Sequence, residues 1–145
     1  MGKMSSKWQS RVQALVPLTE QEESVKELLE GLRVQYQAHT VFPYRGRSMV
    51  VDFFLSAPNL VMECWRSESR RGSALMWVEK NAAYVDLKFA RLKDGYPGIR
   101  CLGFVEALQV DLDSLKRIVG AVMVHADFMT YEFAELTKFI QSLRC

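Results

Sequence analysis

Met49-Val50-Val51-Asp52-Phe53-Phe54-Leu55 and Leu60-Val61-Met62-Glu63-Cys64-Trp65 are two apolar runs, each broken by one carboxylate, with Ser56-Ala57-Pro58-Asn59 between them. Short apolar runs joined by turn formers predict an antiparallel hairpin. Centring the turn between Ala57 and Pro58 pairs Leu55 with Leu60 and sets Asp52 directly opposite Glu63. Opposed residues have Cβ atoms roughly 4.5–5.5 Å apart, where like charges repel, so a positive group is expected between them. Alternation puts Val50, Asp52, Phe54, Val61, Glu63 and Trp65 on one face. Val51, Phe53, Leu55, Leu60, Met62 and Cys64 then form a wholly apolar second face. Pro58 is disfavoured at the third position of a tight type I turn. A longer loop would slip the register by one and send the carboxylates to opposite faces.

Working outward, Arg45-Gly46-Arg47-Ser48 reads as a turn and residues His39 to Tyr44 as a first strand. Thr19-Glu20-Gln21-Glu22 has capping-box spacing, and Val25, Leu28, Leu29, Leu32 and Tyr36 give the helix behind it one apolar face. Residues 1–18 show little periodicity and read as an N-terminal arm or short helix closed off by Pro17. Beyond Trp65, Arg66 to Ser73 has loop composition. Leu75, Val78, Ala82, Val85, Phe89 and Leu92 recur at three and four residues, predicting a long helix ended by Asp94-Gly95-Tyr96-Pro97-Gly98. Ile99 to Leu108 reads as a strand, Asp111 to Ile118 as a short helix, and Ala121 to His125 as a further strand. A last helix follows Thr130, with Phe133, Leu136, Ile140 and Leu143 inward. The order helix, three-stranded meander, helix, strand, helical tail describes an α/β sandwich with a mixed sheet. The long helix is a crossover that makes the Glu63 and Ile99 strands parallel.

The bulk composition agrees with this. A chain of 145 residues, 49% hydrophobic and 25% charged, fits one globular domain spanning 19–145, and no apolar run approaches a membrane span. The first residues lack the apolar core of a signal peptide, so an intracellular, cytoplasmic protein without a membrane partner is expected. Cys64, Cys101 and Cys145 are unclustered, which fits reduced thiols. A net charge of +2 leaves nucleic-acid binding to local distribution.

Two apposed carboxylates on a sheet suit a hard cation able to polarise a phosphoryl oxygen. Asp52 in the second strand, Glu63 two residues before the Trp65 slot in the third, and the element order together resemble the PD-(D/E)XK nuclease superfamily. The nearest likeness is to its small very-short-patch-repair-like and Holliday-junction-resolvase-like endonucleases, over roughly residues 19–108. The resemblance implies a restriction-endonuclease-like α-β-β-β-α-β core, magnesium or manganese as cofactor, and DNA as partner. It also implies Asp52 and Glu63 as catalytic and metal-holding residues, with Glu22 or Glu23 matching a first-helix glutamate and Glu23 the better placed. Trp65 stands in the lysine slot. Some members draw that lysine from the long helix, where Lys80, Tyr84 and Lys88 form a stripe; Lys80, nearer the helix start, is the expected catalytic lysine.

Simpler accounts stand beside these. Asp52 and Glu63 would also serve as structural ion pairs, Glu23 as a solvated first-turn charge, and Lys80 as an exposed helix charge. Arg45, Arg47, Arg66, Arg70 and Arg71 would form a phosphate-contacting rim, or only charged loops. Trp65 and Trp77 are core aromatics by default, with stacking on an unpaired base as the sharper reading. His39 and His125 have no ligand spacing and neither is assigned a catalytic role, though the first strand could bring His39 near the site; Glu106 reads as structural or solvated. Two functions follow: a metal-dependent DNA endonuclease, or a nuclease-like module that binds nucleic acid or protein without catalysis. An enzyme of unrelated chemistry on a similar sheet is a third. A homodimer would be unsurprising, with Phe128, Met129, Tyr131 and Phe133 as an association surface.

Overall fold

The computed structural model describes residues 17–68 and 73–143. Most of the expected arm, together with Arg70, Arg71 and Cys145, lies outside the described residues. Four helices and five strands are formed among them. Helix α1 (Glu20–Gly31) starts at the capping box: the Thr19 hydroxyl accepts from Glu22 N at 3.1 Å, and Thr19 N donates to Glu22 Oε1 at 2.9 Å. Val25 and Leu29 are its buried face. Thr19→Ala removes one of these bonds and is expected to cost about 1 kcal/mol, read as a lower urea midpoint at unchanged m-value.

Strands β1 (Gln37–Tyr44), β2 (Arg47–Leu55) and β3 (Leu60–Arg66) form the antiparallel meander. Arg45 and Gly46 join the first two with φ of 47° and 78°, the positive values a twist-matched two-residue turn requires. Across the next turn Asn59 N donates to Ser56 O at 3.0 Å, and Leu55 pairs with Leu60, so the expected register is the one formed. Pro58 is accommodated because Asn59 takes a left-handed conformation, φ 53°, and Arg100 donates from Nε and Nη2 to Pro58 O.

The β2–β3 ladder covers only Phe53 to Leu55 against Leu60 to Met62 and stops before Asp52 and Glu63. The β1–β2 ladder skips one position, His39 against Asp52, and His39 has φ 48°. A left-handed residue reverses the pleat, so the expected alternation fails at this point. Met49 and Val51 join the same core as Phe54 and Val61, whereas Phe53 and Leu55 join the opposite one. Val50, placed by alternation on the Phe54 face, is exposed.

Helix α2 (Ala74–Gly95) crosses over to β4 (Arg100–Glu106), which runs parallel to β3. Its 22 residues span about 33 Å, against about 23 Å for the seven of β3. The first turns therefore overhang the sheet, and Leu75, expected inward, is exposed with Met76. Helix α3 (Leu112–Val122) takes in Ala121 and Val122, so the strand expected from Ala121 to His125 does not form. Leu115, Val119 and Met123 bury at helical spacing, and that packing overrides the β-branched composition. The fifth strand is β5 (Phe128–Thr130), parallel to β4, and α4 (Phe133–Ser142) closes the described chain.

Sheet order is β1-β2-β3-β4-β5. Helices α2 and α3 bury one face around Val61, Phe89 and Val105, while α1 and α4 bury the other around Phe53, Leu102 and Phe104. The aromatic stretch expected to mediate association is largely taken up in packing: Phe128 lies 4.7 Å from Phe139, and Met129 and Tyr131 pack on the α2 side. No described helix is long and apolar enough to cross a membrane.

Candidate metal and catalytic site

Where the β2–β3 ladder stops, the two carboxylates take over its hydrogen bonds. Asp52 N donates to Glu63 Oε2 at 2.8 Å, and Cys64 N donates to Asp52 Oδ2 at 2.7 Å. Each acid thus caps an amide of the opposite strand, and the strands part at this pair. The expected positive group is present. Lys88 Nζ from α2 donates to Glu63 Oε1 and, at 2.8 Å, to Val50 O, stitching the two strands across the gap.

On the other side of Asp52 lie Glu22 and His39. His39 Nε2 is 3.3 Å and 3.4 Å from the two Glu22 oxygens, and both residues are buried. One ligand atom from each of Glu22, His39 and Asp52 falls within 4.8 Å of the others, so this buried cluster could hold a metal ion. His39 keeps a left-handed backbone at a cost of about 1–2 kcal/mol for a residue with a Cβ. Strain of this kind persists where the surroundings fix it, and here the His39 ring is held against both Glu22 oxygens.

The electrostatics follow from burial and crowding. Burial, with Glu63 and Glu22 close by, pushes the Asp52 carboxyl up to about 10. Burial pulls Glu22 the same way, but bonds to Asp52, the Thr19 amide and His39 leave it below its ordinary range. Asp52 is therefore a neutral acid bonded to an ionised Glu22. Burial works against the Lys88 charge, yet the Glu63 carboxylate bonded to it raises it more, so the ammonium persists. Lys88 faces Glu63 and Asp52, and His39 faces Glu22; a proton on Asp52 limits the negative charge gathered between them, and a divalent cation would limit it in the same place.

No family model, curated protein or solved structure matches this chain.

Asp52 and Glu63 meet as expected, but two other expectations move by a definite amount. Glu23 is exposed, and its neighbour Glu22 is the helix residue in the cluster. Lys80 is also exposed, with its ammonium 5.3 Å from the Trp77 ring centroid; Lys88, two turns further on, reaches Glu63. The overhang of α2 explains the shift, because Lys80 lies about 12 Å further along the axis, towards the overhanging turns. The arginine rim is not assembled among the described residues. Arg45 pairs with Asp94 at 3.0 Å, at the end of β2 about 23 Å of strand from Asp52, and Arg47 is beside it. Arg66 is bound to Glu106 at 3.3 Å and Glu20 at 3.7 Å, which gives Glu106 its structural role. Trp65 packs partly buried on the α2 side, its indole N–H without a partner among the described residues. His125 is bound to Asp86 on α2, apart from the cluster.

Proposed function

We propose that the protein is a metal-dependent phosphodiesterase of PD-(D/E)XK type, cleaving DNA on a restriction-endonuclease-like core. The observation that carries the reading is Lys88: an ammonium bonded to Glu63, facing Asp52, at the point where two strands part. Glu22, Asp52 and His39 would hold the cation. Two carboxylates suit magnesium or manganese, and the imidazole favours manganese. When bound, such a cation supplies a Lewis acid for a phosphoryl oxygen and an acidified water.

The chain's own residues do the rest. Lys88 stays protonated, so it acts as a fixed positive charge, stabilising negative charge that grows on the phosphoryl oxygens. Its bond to Val50 O fixes its position, and its bond to Glu63 orients that carboxylate. Trp65 was the argument for a non-catalytic module; with Lys88 in the lysine's part, it no longer favours that reading.

End-labelled single-stranded, branched and duplex DNA incubated with manganese, magnesium or EDTA tests the proposal. Wild type is expected to cleave only with a divalent cation, and Asp52→Asn not at all. Equal cleavage by the variant, or none by wild type on any substrate, refutes it.

A further inference from the structure

Trp77, Lys80, Tyr84 and Lys88 recur at three and four residues and form one stripe along α2. Each lysine sits beside a ring: Lys80 Nζ is 5.3 Å from the Trp77 centroid, and Lys88 Nζ is 5.3 Å from the Tyr84 centroid. Tyr84 is 65% exposed and Trp77 36%. The ammonium beside Tyr84 is the one bonded to Glu63, so an exposed aromatic face stands one side chain from the carboxylates. Trp77 begins the stripe on the overhanging turns, about 10 Å from Tyr84 along the axis, with Lys80 between them. The stripe thus leads from the overhang into the site.

We propose that this flank of α2 is a track for a single DNA strand, with Tyr84 stacking on the base next to the phosphate presented to Asp52 and Glu63. An exposed ring offers a flat partner to any unpaired base, whereas a duplex hides its base faces and is gripped through phosphates by clustered cations. Lys88 is committed to Glu63 and Val50, which leaves Lys80 as the stripe's exposed ammonium. One exposed cation between two rings suits stacking with a single phosphate contact. Continuity with the site and the alternation of ring and cation favour a strand over a second copy of the chain. The inference rests on the nuclease reading for what happens at the phosphate, but not for binding.

Fluorescence anisotropy with labelled oligo(dT) and a blunt duplex of equal length, in EDTA and in the Asp52→Asn background, reads binding without cleavage. Tyr84→Ala is expected to weaken oligo(dT) binding about 5- to 150-fold, the loss of one base–aromatic stack, and duplex binding less than twofold. Tyr84→Phe should retain the affinity. Equal losses on both substrates, or none on oligo(dT), overturn the track and leave the cleavage test of Asp52→Asn unaffected. Selective loss on oligo(dT) beside an inactive wild type keeps the track and removes the nuclease. A dimer in sedimentation that Tyr84→Ala dissociates, with oligo(dT) affinity unchanged, overturns the proposal and gives the face to a second copy.

Discussion

Asp52→Asn is expected to be more stable than the wild type at neutral pH and blind to divalent cations. In the folded protein the Asp52 carboxyl is raised to about 10 by burial, Glu63 and Glu22, whereas unfolded it titrates near 3.9. Between those values the folded state holds a proton the unfolded state has lost, so stability falls as pH rises from about 4 to 10. By pH 7 the cost is on the order of a few kcal/mol. Asparagine reproduces the neutral acid: its amide can donate to Glu22 and its oxygen accept from Cys64 N, the bonds Asp52 makes. Urea unfolding at pH 5 and pH 8 should show a steep loss of stability in wild type and a shallow one in the variant. Manganese at about 100 times its Kd should stabilise wild type by about 2.7 kcal/mol, release protons, and do neither in Asp52→Asn. The same pH slope in both proteins, or a retained manganese shift, would contradict the account.

Lys88→Met keeps most of the lysine stem and removes the ammonium. Glu63, only 5% exposed at its side chain, is then left without its cation. Breaking one partner of a buried ion pair costs about 3–5 kcal/mol unless the survivor takes up a proton. The expected result is a clear loss of stability, together with a fall in cleavage of about 10²–10³-fold, the usual effect of losing one preorganised charge stabiliser. Lys88→Met/Glu63→Gln separates the two roles. The double variant should recover most of the stability, because no unpaired charge remains, and none of the activity. Recovery of both, measured by urea unfolding and the DNA assay, would make the lysine structural.

The carboxylate pair was legible because an acid inside an apolar run is conspicuous and because Ser56-Ala57-Pro58-Asn59 permits few turns. Register, crossover and first cap follow from local rules of the same kind. His39 was not legible: its position depends on a left-handed backbone at one strand residue, which composition does not announce, and on the reversed pleat that follows. Glu22 carried its own camouflage, since a capping-box glutamate needs no second role. Lys80 and Lys88 share one stripe, and sequence periodicity fixes only a helix's rotational phase. Which lysine meets Glu63 depends on how far α2 slides along β3, and that is set by the loops at its two ends.

Arg47 to Val51 of β2 pairs with β1 alone, because the ladder to β3 ends at Phe53. This half of the hairpin is a cantilever, rooted where Phe53 to Leu55 meets Leu60 to Met62. It is steadied along its length by Lys88 on Val50 O, by Tyr96 Oη on Pro43 O at 2.5 Å and by Tyr44 Oη on Asp94 at 2.6 Å. Asp52 stands at the root of this arm and Glu63 on the strand it leaves, with Asp52 N donating to Glu63 Oε2 at 2.8 Å. The spacing of the two carboxylates is therefore set by how the arm is anchored at Val50, Pro43 and Asp94 as much as by the ladder at its root.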